Sequence, residues 1–182
     1  AGDHVDLVVE LVVQVVHEAG GERQEAHRGP RFGLVVEVEL IGGELFDDDM
    51  AKIAGFVGRL AEAAAPYALY LETPMIADSR EDQIQAFKDL RAALDRSSYD
   101  VKLGADEWCN TLEDIQAFAD AGAADFLQVK APDLGGLGNS IEALLYCRRQ
   151  KVGVYMGGSA NETDQSAKLS AHIALACRAD FL

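Results

Sequence analysis

The chain has 182 residues, of which 49% are hydrophobic, as expected for a globular protein with one sizeable core. Acidic residues outnumber basic ones 31 to 16, and the net charge of −15 argues against nucleic acid or anionic membrane as a partner. No apolar run approaches the roughly 20 residues of a membrane-spanning helix, and the first residues lack a signal-peptide pattern. We therefore expect a cytoplasmic protein.

Three cysteines, Cys109, Cys147 and Cys177, lie far apart in the sequence and form no Cys-x-x-Cys pair. Their odd number and their spacing argue against a disulfide framework or a zinc site. We expect them to be small buried side chains.

In chain order, the pattern predicts an opening helix over residues 3–19 and a charged, glycine-rich loop over residues 20–33. Short apolar runs then alternate with longer amphipathic stretches, which indicates repeated strand–helix units and a parallel sheet. The predicted strands cover residues 34–41, 68–72, 101–106, 126–130 and 152–156. The predicted helices cover residues 47–65, 79–94, 111–121, 139–150 and 161–177.

Capping signals agree with two of these helices. Ser79 with Asp82, and Thr111 with Asp114, place a hydroxyl and a carboxylate where the first helical turn has unpaired amides. Gly122 stands where the second of these helices should end.

A polar residue stands at or near the end of four successive strands, at regular spacing. Glu37 and Glu72 are 35 positions apart, Glu72 and Asp106 are 34 apart, and Asp106 and Lys130 are 24 apart. A (β/α)8 barrel of about 250 residues averages roughly 31 residues per unit. The sequence therefore predicts an α/β fold, a partial TIM-type barrel of five to six units, with residues 179–182 beginning a further strand.

Such a partial barrel leaves sheet edges unpaired. We expect residues 1–182 to form a single incomplete barrel domain that is a fragment, or whose remaining strands come from elsewhere.

In a parallel barrel the active site forms at the carboxyl ends of the strands. There Glu37, Glu72 and Asp106 would converge, and three close carboxylates repel one another unless a hard divalent cation neutralises them. Oxygen ligands favour magnesium or manganese over zinc.

Lys130 ends the next strand, and Gln128 shares its face because side chains alternate along a strand. Burial beside a metal should lower the pKa of Lys130, which would let its neutral amine act as a base. The alternative is that Lys130 only forms an ion pair with the carboxylates.

Three segments carry a specific resemblance: 105–111 (ADEWCNT), 128–136 (QVKAPDLGG) and 157–163 (GGSANET). In order and spacing they closely resemble the signatures of the methylaspartate ammonia-lyases, which belong to the enolase superfamily. The similarity runs from about residue 34 to the C-terminus, and it implies that the chain is the C-terminal barrel portion of such an enzyme.

By this resemblance Glu72 and Asp106 match magnesium ligands. Glu37 falls where the family has an aspartate ligand, although its surroundings depart from the family's His-Ile-Asp-Val-Tyr pattern. Glu39 shares a face with Glu37, so a two-residue shift of register would give Glu39 this role.

The resemblance also matches Lys130 to the family's lysine base and Gln128 to a substrate-binding glutamine. Ser159 and Ala160 match the Thr-Cys pair that contacts the substrate carboxylate; serine keeps the hydroxyl, whereas alanine offers only a backbone amide.

The implied reaction is elimination of ammonia from 3-methylaspartate to give mesaconate through a metal-stabilised enolate, with Lys130 removing the C3 proton. The implied cofactor is Mg²⁺, with Mn²⁺ as an alternative and no organic cofactor. The partner would be an amino-dicarboxylate substrate, and the complete enzyme would be a homodimer.

The family's N-terminal capping domain, its first barrel strands and a second, histidine catalyst are not expected in this chain. Its histidines, His4, His17, His27 and His172, do not fall where they could replace that catalyst.

Two other interpretations stay open. Another enolase-superfamily lyase, dehydratase or racemase acting on a carboxylate would share the metal and the lysine, but the motifs around Gln128 and Ser159 favour the ammonia-lyase. An inactive truncated remnant would bind metal weakly or not at all, and we expect these 182 residues alone to be inactive.

Overall fold

A computed structural model describes residues 11–12, 35–39, 42–97, 99–160 and 162–182. For residues 11–12 and 35–39 it describes the backbone only. The predicted loop over residues 20–33 and the histidines at positions 4, 17 and 27 lie outside the described residues, whereas His172 is exposed on the last helix.

Six strands form one sheet in sequence order. The strands are β1 (Leu11–Val12), β2 (Val35–Glu39), β3 (Ala68–Glu72), β4 (Val101–Ala105), β5 (Phe126–Lys130) and β6 (Gly153–Gly157). The helices are α1 (Gly42–Phe46), α2 (Met50–Ala64), α3 (Arg80–Ser97), α4 (Leu112–Ala121), α5 (Leu137–Gln150) and α6 (Asp164–Cys177). From β2 to β6 neighbouring strands are parallel, and a helix follows each of these strands, so the predicted strand–helix repeat is confirmed.

The predicted opening helix is wrong at Leu11–Val12, which form β1 and pair antiparallel with Val38 and Glu37 of β2. Residues 5–16 include seven valines, whose branched side chains lose rotamer freedom in a helix and suit a strand. The rest of that predicted helix lies outside the described residues.

The C-terminus begins a further strand beside β6, as predicted. Phe181 forms a parallel bridge with Tyr155. Its amide donates to the carbonyl of Val154 at 3.1 Å, and its carbonyl accepts from the amide of Met156 at 3.0 Å.

The two faces of the sheet have different environments. Residues such as Leu69, Leu71, Leu103 and Leu127 point toward the helices and are almost fully buried. On the opposite face the side chains of β3 are only half-buried. This is the arrangement of part of a (β/α)8 barrel, in which helices cover the outside and the other face lines the interior.

The cysteines follow the same division. Cys109 and Cys147 are buried and Cys177 is half-buried. Burial raises the pKa of the Cys147 thiol to about 12, so this thiol stays protonated at neutral pH. The expectation of small buried side chains is confirmed for the first two. None of the helices in the described part of the chain is long and apolar enough to cross a membrane.

The predicted capping residues are confirmed. The Thr111 hydroxyl accepts from the amide of Asp114 at 3.1 Å, and the Asp114 carboxylate accepts from the amide of Thr111 at 3.0 Å. The helix ends at Gly122 with a φ of 58°. Ser79 accepts from the amide of Asp82 in the same way.

Replacing Thr111 by alanine should lower the free energy of unfolding by about 1 kcal/mol, because the cap at the start of α4 is lost. Thr111→Ser keeps the hydroxyl and should lose much less. Urea denaturation of the two variants measures this difference, and equal losses would contradict the capping role.

Candidate functional site

Four polar side chains meet on the interior face at the carboxyl ends of β3, β4 and β5. The Lys130 ammonium donates to the Asp106 carboxylate at 2.7 Å. The side-chain amide of Gln128 donates to the Glu72 carboxylate at 2.9 Å. Since these contacts join residues 24 and 56 positions apart, the predicted convergence of the strand ends is confirmed for these four residues.

The strand register shows a regular offset between the acidic residues. Glu72 pairs with Gly104 of β4, and Asp106 lies two residues beyond that partner. Glu37 pairs with Tyr70, and Glu72 again lies two residues beyond. Strands of a barrel tilt against its axis, so residues that meet in its interior are offset along the register.

The same offset bears on the choice between Glu37 and Glu39. Glu39 pairs directly with Glu72, whereas Glu37 continues the two-residue step. The backbone register therefore favours Glu37 as the third acid of the series. Among the side chains that the structure describes, no group of three or more His, Cys, Asp or Glu residues is placed to hold a metal ion, and Glu37 and Glu39 are not among those side chains.

The electrostatics differ from the expectation for Lys130. Burial alone would lower the pKa of Lys130, but its hydrogen bond and its attraction to Asp106 outweigh burial, and the pKa is raised. In this arrangement the Asp106 carboxylate stabilises the ammonium form, and the lower pKa expected beside a metal stays a prediction. Burial also raises the pKa of Asp106, which Lys130 offsets only in part.

Three buried oxygens at the site have no hydrogen-bond partner. They are Thr73 Oγ1, Glu107 Oε2 and Gln128 Oε1. Thr73 follows Glu72, and Glu107 follows Asp106. Buried oxygens without donors are rare in proteins. Glu72, Asp106 and the free oxygen of Gln128 are oxygen donors of the kind that a hard divalent cation or a polar substrate takes, so the residues present match a divalent metal in donor chemistry.

The backbone is strained directly after Glu72 and two residues after Asp106. Thr73 has a φ of 39° and Trp108 a φ of 63°, a region that β-branched and bulky residues rarely occupy. The indole of Trp108 donates to the carbonyl of Ala77 at 2.9 Å, which ties the loop after β4 to the loop after β3.

Sequence reasoning missed Gln83, which is fully buried on α3. Its amide nitrogen donates to the carbonyl of Met75, and its amide oxygen accepts from the backbone amide of Ala77, both at 2.6 Å. Gln83 thus holds the loop that follows Glu72. A glutamine inside an amphipathic helix gives no signal of this role, because the partner loop is identified only by the fold.

Ser159 and Ala160 lie in the loop after β6, at the same edge of the sheet as Lys130. Lys130 pairs with Gly157, two residues before Ser159. Ser159 is half-buried and Ala160 is exposed. The backbone amide of Ser159 donates to the Glu162 carboxylate at 3.2 Å, so Glu162, which sequence reasoning did not select, fixes this loop.

An aromatic cluster lies lower in the interior, below the polar residues. The rings of Tyr70, Phe126 and Phe181 contact one another with centroids 5.1 to 6.1 Å apart. Phe126 precedes Gln128 on the same face of β5, so the cluster forms an apolar floor under the site.

Acids and a lysine at the carboxyl ends of successive parallel strands, on a half-barrel covered by helices, define part of a (β/α)8 barrel enzyme fold. The N-succinyl Arg/Lys racemase of Bacillus cereus shares this fold, with a TM-score of 0.60 and 19% identity over 78% of this chain and 34% of its own.

The chain belongs to the methylaspartate ammonia-lyase family: the family model for the methylaspartate ammonia-lyase C-terminus matches residues 4–182. It is 46% identical over 154 residues to methylaspartate ammonia-lyase 2 of Carboxydothermus hydrogenoformans, covering 84% of this chain and 37% of that protein. It is 48% identical over 149 residues to the methylaspartate ammonia-lyase of Haloarcula marismortui, covering 81% and 35%.

Solved structures of the family agree. A Mg complex of β-methylaspartase from Clostridium tetanomorphum has a TM-score of 0.76 and 40% identity, over 85% of this chain and 38% of its own. Methylaspartate ammonia lyase of Citrobacter amalonaticus containing (2S,3S)-3-methylaspartic acid has a TM-score of 0.76 and 39% identity, over 84% and 38%. The chain thus spans less than two fifths of the length of these relatives.

Gln83→Leu should lower the free energy of unfolding by about 2 kcal/mol or more, because it leaves two backbone groups of the loop after β3 without partners. Gln85→Leu on the exposed side of the same helix is the matched control and should change stability by less than about 0.5 kcal/mol. Denaturant unfolding measures both, and equal effects would show that Gln83 does not hold the loop.

Proposed function

We propose that this chain supplies the metal ligands and the lysine base of a methylaspartate ammonia-lyase, which eliminates ammonia from 3-methylaspartate to give mesaconate. The observation that carries the proposal is the meeting of Glu72, Asp106, Gln128 and Lys130 on one face, in a chain of this family. Its relatives are more than twice as long. The activity is therefore proposed for a complete protein in which the remaining barrel strands and an N-terminal capping domain are also present.

The metal ligands in this proposal are Glu37, Glu72 and Asp106. Their oxygens suit Mg²⁺, and the Mg complex of the Clostridium tetanomorphum enzyme supports this choice. When bound there, Mg²⁺ would supply positive charge for the substrate carboxylate. It would also bind the Asp106 carboxylate, which otherwise stabilises the Lys130 ammonium. Mn²⁺ as an alternative and the lack of an organic cofactor stay predictions.

Lys130 is the proposed base that accepts the C3 proton. It must first give up its ion pair with Asp106, since that contact favours the protonated amine. The electron pair of the C3–H bond first moves into the adjacent carboxylate as an enolate. Its return forms the C2–C3 double bond while the C2–N bond breaks and ammonia leaves. General bases of this kind contribute about 10²- to 10⁴-fold to a rate.

The remaining residues are proposed to orient the substrate. Gln128 is nearly buried, and its side-chain oxygen faces no protein donor, so it can accept from a bound ligand. Ser159 offers a hydroxyl beside the lysine strand, and Ala160 offers its backbone amide. The substrate found in the Citrobacter amalonaticus structure supports an amino-dicarboxylate ligand. Homodimer assembly and a cytoplasmic location also stay predictions.

In the complete protein, Lys130→Ala should slow exchange of the C3 proton of 3-methylaspartate with solvent deuterium by at least about 100-fold, because the base is gone. Proton NMR of the substrate measures the exchange. Lys168→Ala, at a largely exposed position on α6, is the matched control and should exchange at the parent rate. Unchanged exchange in folded Lys130→Ala protein would refute the assignment of the base.

Calorimetric titration with Mg²⁺ tests the metal ligands. Glu37→Gln, Glu72→Gln and Asp106→Asn should each weaken binding at least about tenfold, or 1.4 kcal/mol, because each removes a charged oxygen ligand. Glu39→Gln, two residues from Glu37 on the same strand, should bind as the parent does. A larger loss in Glu39→Gln than in Glu37→Gln would transfer the ligand role to Glu39.

A further inference from the structure

The Gln128 side chain lies in a narrow space between the strands on either side of β5. It is 7% exposed, and its amide nitrogen is committed to the Glu72 carboxylate, two strands away. A buried amide with one such contact has few other orientations available. The residues that leave this space open therefore determine whether Gln128 can reach Glu72.

On one side, the space exists because position 157 of β6 has no side chain. A Cβ atom at Gly157 would lie 2.7 Å from Cδ, 2.8 Å from Cγ and 3.0 Å from Oε1 of Gln128. The first two distances are too short for real contacts and the third is very tight, and all three atoms belong to one flexible side chain. A methyl group there would displace the Gln128 amide and leave the backbone in place.

The backbone itself does not require glycine at this position. Gly122, Gly135 and Gly136 are the glycines with positive φ among the residues that the structure describes, and Gly157 is not one of them. Any L-residue can adopt its conformation. The feature that Gly157 provides is therefore space and not conformational freedom.

On the other side, the path to Glu72 crosses β4 at Gly104, the register partner of Glu72. Gly104 also lacks a side chain, and a Cβ atom there would lie 2.1 Å from the ring of Phe126. The Phe126 ring already fills the space beside Gly104, so Gly157 is the glycine that leaves room for the Gln128 side chain.

We propose that Gly157 and Gln128 form a positioning pair: the open space at Gly157 seats the Gln128 amide, and this amide orients the Glu72 carboxylate. Its consequence for metal binding rests on the proposed function, in which Glu72 is a ligand. Gln128 is a positioning residue toward Glu72 in addition to its proposed contact with substrate. Gly157, which touches neither metal nor substrate, would thus influence the metal site through one side chain.

The first test uses the metal-free full chain labelled with ¹⁵N. The side-chain amide signals of Gln128 are identified by their loss in Gln128→Ala, and their exchange with solvent is measured by NMR. Gly157→Ala should speed this exchange at least about tenfold, since the displaced amide loses its carboxylate partner and its burial. Gly138→Ala is the matched control, because a Cβ atom there has nothing within 4 Å, and it should match the parent.

The second test is a double-mutant cycle read out as Mg²⁺ affinity by calorimetry. Gly157→Ala alone should weaken binding about tenfold, the lower end of the effect of an outer-shell partner. In a Gln128→Ala background the space is already empty, so adding Gly157→Ala should change affinity less than about twofold. An effect of equal size in both backgrounds would show that Gly157 acts through the backbone, and would overturn the pair.

The two readouts separate this inference from the proposed function. A parent chain that binds no Mg²⁺, but whose Gln128 amide is released by Gly157→Ala, would contradict the proposed function and uphold the pair. If the parent chain binds Mg²⁺ and Gly157→Ala leaves the exchange rate of the Gln128 amide unchanged, the positioning pair is contradicted and the proposed function is not.

Discussion

The site depends on placing negative charge at the partly buried ends of parallel strands. Two carboxylates on neighbouring strands repel each other, and removal from water raises the cost of ionising each one. In the described structure Lys130 and Gln128 each donate a hydrogen bond to one of them, which offsets part of this cost. Gln83 and the Trp108 indole hold the loops that follow these two acids.

The loops around the two carboxylates contain strained backbone and buried polar contacts. The backbone conformation is unfavourable at Thr73, directly after Glu72, and at Trp108, two residues after Asp106. Gln83 fixes the loop after Glu72. Strain of this kind persists only where the neighbouring structure determines it. The strain lies close to Glu72 and Asp106, which indicates that the loops after β3 and β4 are shaped for the site at some cost in stability.

The ion pair between Lys130 and Asp106 bears on the two roles that the sequence left open for Lys130, a base or an ion-pair partner. As an ion-pair partner, Lys130 stabilises the arrangement of acids; as a base, it must lose that partner. The two roles are compatible if Asp106 has another source of positive charge during the reaction, which is the chemistry that a divalent cation supplies. The proposed mechanism rests on this chemistry and on the geometry of the strand ends.

Local patterns in the sequence were enough to predict the five parallel strands, the helices between them, the caps at Ser79 and Thr111, and the convergence of Glu72, Asp106 and Lys130. These features depend on periodicity along the chain and on the rule that parallel strands share one carboxyl edge. The same rules failed at Leu11–Val12, where a valine-rich run reads equally well as a helix face or a strand, and only pairing with β2 decides between them.

Other properties were decided by tertiary structure, because they depend on distances between residues far apart in sequence. The pKa of Lys130 is raised mainly by the Asp106 carboxylate, with smaller contributions from Asp133 and Glu72, whereas burial alone would lower it. The register with β3 continues the two-residue offset of the acids at Glu37, and the proposed choice of Glu37 over Glu39 depends on it. The roles of Gln83, Glu162 and Gly157 are visible only where their partners lie beside them, since a side chain's sequence neighbours do not show which space it fills or leaves open.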